Sequence, residues 1–287
     1  MQANEPCWCK SGKAYGQCHQ AFDQKLDWYR RKHKIVPRRD MIKNEKQIDG
    51  IREAGKINTA VLDLVASEIR PGMSTEQINT LVHEYTLSRG AIPATLHYQG
   101  YPKSVCTSIN DEVCHGIPSP TRILQVGDII NVDCTTIYKG YYADASRMFC
   151  IGPVGPKRQK LVEVAKECRD LGVEAVRPWG YLGDVGAAIN GHARKHGYTV
   201  IRDIGGHGVG VQFHEDPYVC HIGKKGTGLL LVPGMVFTIE PMVNMGRAEF
   251  YEDADNGWTI YTDDGLPSAQ WEVTLAVTET GTEILTY

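Results

Sequence analysis

The 287-residue chain predicts an α+β fold of two duplicated halves, each two helices and a hairpin, closed on a cleft that holds two metals. Three observations predict it. Helical periodicity gives way to runs of β-forming residues, and the cycle occurs twice. A single constant offset in numbering superposes the two cycles. Four carboxylates and one histidine lie in or beside the β-rich runs: Asp133, Asp144, His207, Glu240 and Glu272.

The offset holds across helix, loop and strand. Arg70-Pro71 falls on Arg177-Pro178, Gly90 on Gly197, Gly127 on Gly234 and Asp133 on Glu240. Apolar positions follow, with Leu64 on Leu171, Ile69 on Val176, Ile129 on Val236, Ile130 on Phe237 and Val132 on Ile239. Agreement over so many local signals points to a duplicated unit. Each half then supplies one acid from the same structural place.

Residues 1–40 stand apart and are expected as a separate unit from 41–287. They carry Cys7-Trp8-Cys9 and Cys18-His19, then a basic stretch with Lys25, Arg30, Arg31, Lys32, Lys34, Arg38 and Arg39 around Trp28 and Tyr29. Pro37 ends any helix there. From Glu45, Ile48, Ile51, Ile57, Val61, Leu64, Val65 and Ile69 mark one helical face that Pro71-Gly72 stops. A second helix starts at Ser74, carries Ile78, Leu81, Val82, Tyr85 and Leu87, and stops at Gly90. Strands follow near 104–109, 128–137 and 141–150. The cycle then repeats, with helices at 157–176 and 182–196 and strands near 198–202, 208–213, 235–243, 258–262 and 270–278. Most of these strands are expected to be antiparallel.

Composition narrows the function classes. Apolar residues make 42% and charged residues 23%, the balance of a soluble globular protein. The net charge of −3 gives no bulk attraction for nucleic acid. No run of 18 apolar residues exists to span a membrane, and the polar N-terminus carries no targeting core. Cys106, Cys114, Cys134, Cys150, Cys168 and Cys220 are expected to be reduced, packed thiols, which fits the cytoplasm.

An ionised acid in an apolar run is costly without a partner or a metal. Four carboxylates carry a formal −4, which two divalent cations cancel. Asp133 and Asp144 flank Tyr138-Lys139-Gly140. With Gly140 as a bulge residue, they are expected as near-opposite hairpin partners. His207 sits in Gly205-Gly206-His207-Gly208-Val209-Gly210, where glycines allow close backbone approach. This is not a dinucleotide fingerprint. His115 and His214 also lie near glycine turns or acids; His83, His97, His192, His196 and His221 read as surface or packing residues. No GxSxG elbow is present, and a carboxylate-rich site with one imidazole favours Mn, Fe, Co or Zn.

From about residue 42 to the C-terminus the motifs resemble type I methionine aminopeptidases. They include YPKSVCTSINDEVCHGIP, GDIINVDCT, YYADASRMF, GGHGVGVQFHEDP, FTIEPMV and AQWEVTLAV. The resemblance implies the duplicated pita-bread fold and removal of the initiator methionine from nascent chains by metal-activated water. It assigns the two metals to Asp133, Asp144, His207, Glu240 and Glu272. It gives Glu240 a proton-shuttle role, His214 the developing oxyanion, and His115 the amide nitrogen of the next residue. The methionine pocket falls on Tyr98, Tyr101, Cys106, Phe213 and Trp258, soft and aromatic groups suited to a thioether. Only 31 residues separate Glu240 from Glu272, too few for the large insertion of the type II enzymes.

The N-terminal CWCKSGKAYGQCH gives Cys-x-Cys-x8-Cys-His and resembles the SEC-C zinc motif. Cys7, Cys9, Cys18 and His19 would hold one structural Zn. Lys10 stands where that motif commonly has glycine. Residues 1–40 are also a candidate ribosome-docking arm. The alternatives are a proline-directed pita-bread peptidase, opposed by the Tyr98–Cys106 segment and the short N-terminal region; a catalytically silent pita-bread binding protein, opposed by the intact ligand set; and a ribosome- or RNA-binding pita-bread protein, opposed by the net acidity of the remainder.

Overall fold

The computed structural model describes all 287 residues. The basic N-terminal stretch contains helix α1 (Gln20–Arg31). Helix α2 (Glu45–Glu68) starts from an Asn44/Gln47 capping box, and α3 (Thr75–Ser88) from Ser74/Gln77. Helix α4 (Pro156–Ala175) opens with Pro at its first position. Helix α5 (Leu182–Lys195) opens after Tyr181, whose N–H donates to Asp184.

The duplication is visible in the backbone. Helix α3 begins at Thr75 and α5 at Leu182, which the repeat offset superposes, and both contain 14 residues. Gly90 and Gly197 both take positive φ, 69° and 80°, as do Gly127 and Gly234, 96° and 91°. Only glycine adopts this backbone at little cost, so the repeat conserves turn geometry as well as composition. Pairing repeats too: Pro93 lies opposite Thr136, and their repeat equivalents Val200 and Val243 lie opposite each other.

Every pairing between strands is antiparallel. In the first half Ile129–Tyr138 pairs with Tyr141–Cys150, Cys106–Ile109 and Ile92–Pro93. In the second half a five-stranded sheet orders Thr282–Ile284, Val273–Val277, Val236–Ile239, Gly206–Gly208 and Glu215–Val219. Two three-stranded sheets complete the body. Side chains alternate along each central strand. Ile130 and Val132 pack on Val61, Leu62, Ile78 and Val82 of α2 and α3. Phe237 and Ile239 pack on Leu161, Val164 and Ile189 of α4 and α5. The intervening residues, Asp133, Thr135, Thr238 and Glu240, therefore face the cleft between the halves.

Several expected strands are shorter or broken. The run 235–243 divides at Glu240-Pro241, because proline cannot donate to the ladder. The run 270–278 divides at Trp271-Glu272. The segment 208–213 is a bend, with the strands falling at 206–208 and 215–219. Cys150 is exposed at its strand end instead of packed. No helix is long and apolar enough to cross a membrane.

The N-terminal segment packs onto the second half. Leu26 joins the core of α4 and α5. Phe22 and Tyr29 lie against Trp179, ring centroids 5.4 and 5.9 Å away. Much of the basic stretch is used internally. Lys25 sits 3.8 Å from the centre of Trp179, and Lys34 covers Tyr181. Arg39 pairs with Asp23, and Arg38 with Asp40 and Asp216. Arg31, Lys32 and Trp28 remain on the surface.

Candidate active site

The first pair of acids comes from the hairpin 129–150. Its turn is the two residues Lys139-Gly140, both at positive φ, 50° and 82°. This is the backbone of a primed hairpin turn, with no extra residue. Asp133 consequently lies opposite Ser146, and Asp144 opposite Thr135. The bulge expected at Gly140, and the near-opposite pairing it implied, are corrected. The register moves by two, so both aspartates stay on the cleft face as diagonal neighbours, roughly 7–8 Å apart at the backbone. Thr135 donates to Asp144 Oδ1 at 2.8 Å and fixes that carboxylate.

The second half supplies the rest. Thr238 donates to Glu240 Oε1 at 2.6 Å, and Gln270 to Oε2 at 3.1 Å. The fully buried His221 accepts from the Glu240 backbone N–H at 3.2 Å, so it supports the site from beneath. The Glu272 N–H donates to the Ser146 carbonyl at 3.1 Å, which ties the two halves together. The ring of His207 lies with Nδ1 3.0 Å from the Gly208 carbonyl. That contact makes Nδ1 the donor and leaves the Nε2 lone pair free. Nε2 lies 3.7 Å from both Asp144 Oδ2 and Glu240 Oε1. This is too long for hydrogen bonds and suits ligands around a shared cation. The glycines beside His207 serve strand packing: a Cβ at Gly206 would sit 2.4 Å from the Thr238 carbonyl, and one at Gly208 2.2 Å from that of Asp216.

Burial dominates the electrostatics. It pushes Asp133 and Glu272 well above the usual carboxylate range, Glu240 to about 8 and Asp144 to about 6. Mutual repulsion adds to the rise at Asp133, Glu240 and Glu272. Burial also pulls His207 and His214 down to about 4, so both are neutral near pH 7. Four acids that resist ionisation together, with one neutral imidazole aimed among them, fit a pair of divalent cations.

Every residue expected at the site, ligands and methionine pocket together, lines one cavity of about 390 Å³. His214 Nδ1 lies 3.0 Å from the Tyr98 hydroxyl, and its ring centroid is 4.1 Å from that of His207. Tyr98 packs on Phe213 at 4.6 Å. Tyr101 is buried, donates to the Gly116 carbonyl at 2.9 Å and meets Trp258 edge-on. Cys106 is buried on the same wall, and His115 sits beside Trp258 at positive φ, 58°.

The residues that hold the acids were not singled out from the sequence. Thr135 and Thr238 each lie two residues from an acid on the same strand face, a signal legible in hindsight. Gln270 also lies two residues from an acid, Glu272, but its amide reaches Glu240 instead, where two strands meet; Lys43 carried no such signal. The Lys43 ammonium is buried and lies 2.5 Å from Glu215 Oε2, while Glu215 Oε1 accepts from the Val211 and Gln212 amides.

A second cluster lies at the N-terminus. His19 Nδ1 is 3.2 Å from Cys7 Sγ and 3.1 Å from Cys18 Sγ, and Cys9 Sγ is 3.6 Å from Cys18 Sγ. These four atoms converge as the corners of a tetrahedral zinc site do.

Comparison with known proteins follows the same division. Residues 49–279 match the model of metallopeptidase family M24, and residues 4–21 match the SEC-C motif. Methionine aminopeptidase A of Synechocystis sp. is 51% identical over 85% of this chain and 96% of its own length. The methionine aminopeptidase of Chlamydia pneumoniae is 40% identical over 100% of this chain and 99% of its own length. The crystal structure of methionine aminopeptidase from Rickettsia prowazekii superposes with a TM-score of 0.84 at 45% identity, over 86% of this chain and 99% of that one. An Xaa-Pro dipeptidase from Bacillus anthracis, at 24% identity and a TM-score of 0.69, shares the fold.

Proposed function

This chain belongs to metallopeptidase family M24, as a type I methionine aminopeptidase with an N-terminal SEC-C-type motif, and we propose how its residues divide the work. It is a metal-dependent hydrolase that removes N-terminal methionine. Asp133, Asp144, His207, Glu240 and Glu272 are the metal ligands in this reading, and His207 carries it: its Nε2 is held 3.7 Å from two carboxylates by the Nδ1 contact behind it. Mn, Fe, Co or Zn suits such a donor set. When bound, the two cations polarise the scissile carbonyl and activate a water at neutral pH.

The remaining roles follow from position. Tyr98, Tyr101, Cys106, Phe213 and Trp258 receive the methionine side chain and exclude water around it. In the tautomer this reading requires, Nδ1 of His214 accepts from the Tyr98 hydroxyl, and the His214 Nε2–H donates to the oxygen that gains charge. His115 contacts the amide nitrogen of the next residue. Glu240 takes a proton from the attacking water and passes it to that nitrogen, a role its place on the cleft wall allows. Nascent polypeptides are the substrates that such a reaction requires.

Residues 1–40 form an N-terminal unit docked on the second half in this reading, with one structural zinc on Cys7, Cys9, Cys18 and His19. Arg31, Lys32 and Trp28 are its surface for a ribosomal contact in the cytoplasm, a smaller patch than the sequence offers because Lys25, Lys34, Arg38 and Arg39 are engaged internally. One assay tests the activity: metal-stripped protein, refilled with each cation in turn, releases methionine from Met-Ala-Ser and leaves Ala-Pro intact. Hydrolysis of Ala-Pro with Met-Ala-Ser untouched would reverse the specificity.

A further inference from the structure

Outside the cleft and the N-terminal knuckle of Cys7, Cys9, Cys18 and His19, one other group of side chains converges as metal ligands do. His192 and His196 lie four residues apart, at the C-terminal end of α5, and so share one face of it. Glu167 faces them from α4, with its carboxylate 2.7 Å from His192 Nε2. The ligand atoms of all three lie within 4.8 Å of one another, and the two imidazole centroids are 4.7 Å apart. Two histidines at this helical spacing chelate divalent cations in zinc-dependent sites. The group occupies the last turn of α5, whose carbonyl end favours a cation.

We propose that Glu167, His192 and His196 form a third metal site, an open surface clamp for a borderline transition cation such as Zn2+ or Ni2+ that links α4 to α5. Two nitrogens, one oxygen and water complete its coordination. The same helices pack behind Phe237 and Ile239, so the clamp braces the half that carries Glu240.

The test compares full-length protein with H192A/H196A, both stripped and refilled with zinc. Wild type is expected to retain one more zinc per chain and to gain thermal midpoint as free zinc rises, while the double variant does neither beyond its other sites. Methionine release by the refilled double variant stays at the wild-type rate. E167Q, which keeps both imidazoles, should bind this zinc more weakly without losing it. Equal zinc content and equal thermal response in wild type and H192A/H196A overturn the clamp. If the double variant fails to fold, zinc perturbation of the His192 and His196 imidazole signals in wild-type NMR decides instead, and undisturbed signals overturn it.

A different observation carries a second inference. We infer that Lys43 and Glu215 are positioning residues for His214. The Glu215 carboxylate holds the amides of Val211 and Gln212, in the bend that presents Phe213 and His214, and the buried Lys43 locks that carboxylate. The link reaches the knuckle, since the next residue, Asn44, caps α2 and donates to the Cys9 carbonyl at 2.9 Å. E215Q is expected to lower kcat while leaving KM nearly unchanged, and K43M to do the same. In an H214A background neither should lower kcat further, because the group they position is gone. Additive losses in that background would make the pair merely structural.

Discussion

At position 133 the first half keeps its central strand running; at the equivalent position 240 the second half breaks it with Pro241. The consequence is a division of labour. The unbroken strand keeps its hairpin partner in register, and that partner supplies Asp144. The repeat equivalent of Asp144 is Tyr251, exposed and without acid chemistry. The second half instead bends at Glu240 and brings in Gln270 and Glu272 from the strand region beside it. Duplication thus provides one symmetric pair, Asp133 and Glu240. Asp144, His207, Glu272, His115 and His214 have no repeat-related ligand. A duplicated scaffold needs to match only at its turns and core; the chemistry concentrates where the copies differ.

The sharpest way to break this comparison is at an acid that only one half owns. D144N removes a ligand charge without changing shape, and Thr135 can still hold the amide oxygen. Methionine release should fall to background at any metal concentration, with the circular dichroism spectrum unchanged. Wild-type turnover in metal-titrated D144N contradicts the two-metal assignment.

His214 is the next largest. H214A should lower kcat by roughly 10²-fold or more, the loss typical of one oxyanion donor, with a small change in KM. A change confined to KM would make it a binding residue.

The threonines compare how each half holds its acids. Thr135 holds Asp144 in the first half, and Thr238 holds Glu240 and the His207 N–H in the second. Groups that orient ligands typically govern metal affinity by about 10–100-fold. T238V should therefore weaken metal binding more than T135V, since it releases two ligands instead of one. Isothermal titration with one cation ranks them, and equal losses would mean that the halves are held alike.

Much of this was legible in the chain. The constant offset between the halves located both helix pairs, the turn glycines and the paired acids, because turns and core positions constrain residue type strongly. The motifs named residues far apart in sequence that line one cavity. What stayed hidden depends on register or on contacts distant in sequence. The Lys139-Gly140 turn sets which residues face each other, and a shift of two leaves the same face exposed, so the pattern could not reveal it. Gln270 and Lys43 act across long sequence separations, 30 and 172 residues from their partners. The engagement of Lys25, Lys34 and Arg38 is hidden in the sequence because Trp179, Tyr181 and Asp216 lie far along the chain.

Metal removal gives a smaller, graded effect. Without cations, burial holds a proton on Glu240 up to about pH 8, whereas the unfolded chain releases it near 4.5. This contribution is fully present below 4.5 and is lost as pH rises from there through about 8. Asp133 and Glu272 act in the same direction. His207 and His214, lowered from 6.5 to about 4, act oppositely, but well above 6.5 they are neutral in both states. As pH rises from well above 6.5 through about 8 the thermal midpoint of stripped protein should therefore fall, and E240Q should flatten the slope. A midpoint that rises over this window in stripped wild type contradicts the assignment.

The smallest effect on turnover is expected at the knuckle, which has no counterpart in the other half. No residue that lines the cavity lies before Thr95. C18S removes one corner of the cluster while leaving α1 in the chain, a cleaner change than deleting residues 1–40, which would also uncover Leu26's seat in the core and cut Arg38 from Asp216. A structural zinc contributes directly to folding free energy. C18S should therefore lose one zinc per chain and lower the thermal midpoint while peptide hydrolysis in solution stays nearly intact. Co-sedimentation with ribosomes at low salt reads the separate docking role, and R31E/K32E should weaken it without moving the midpoint. If C18S lowers kcat as well as stability, and H214A abolishes that loss, the knuckle acts on the chemistry through Asn44, Lys43 and Glu215, and the two regions are coupled instead of merely adjoined.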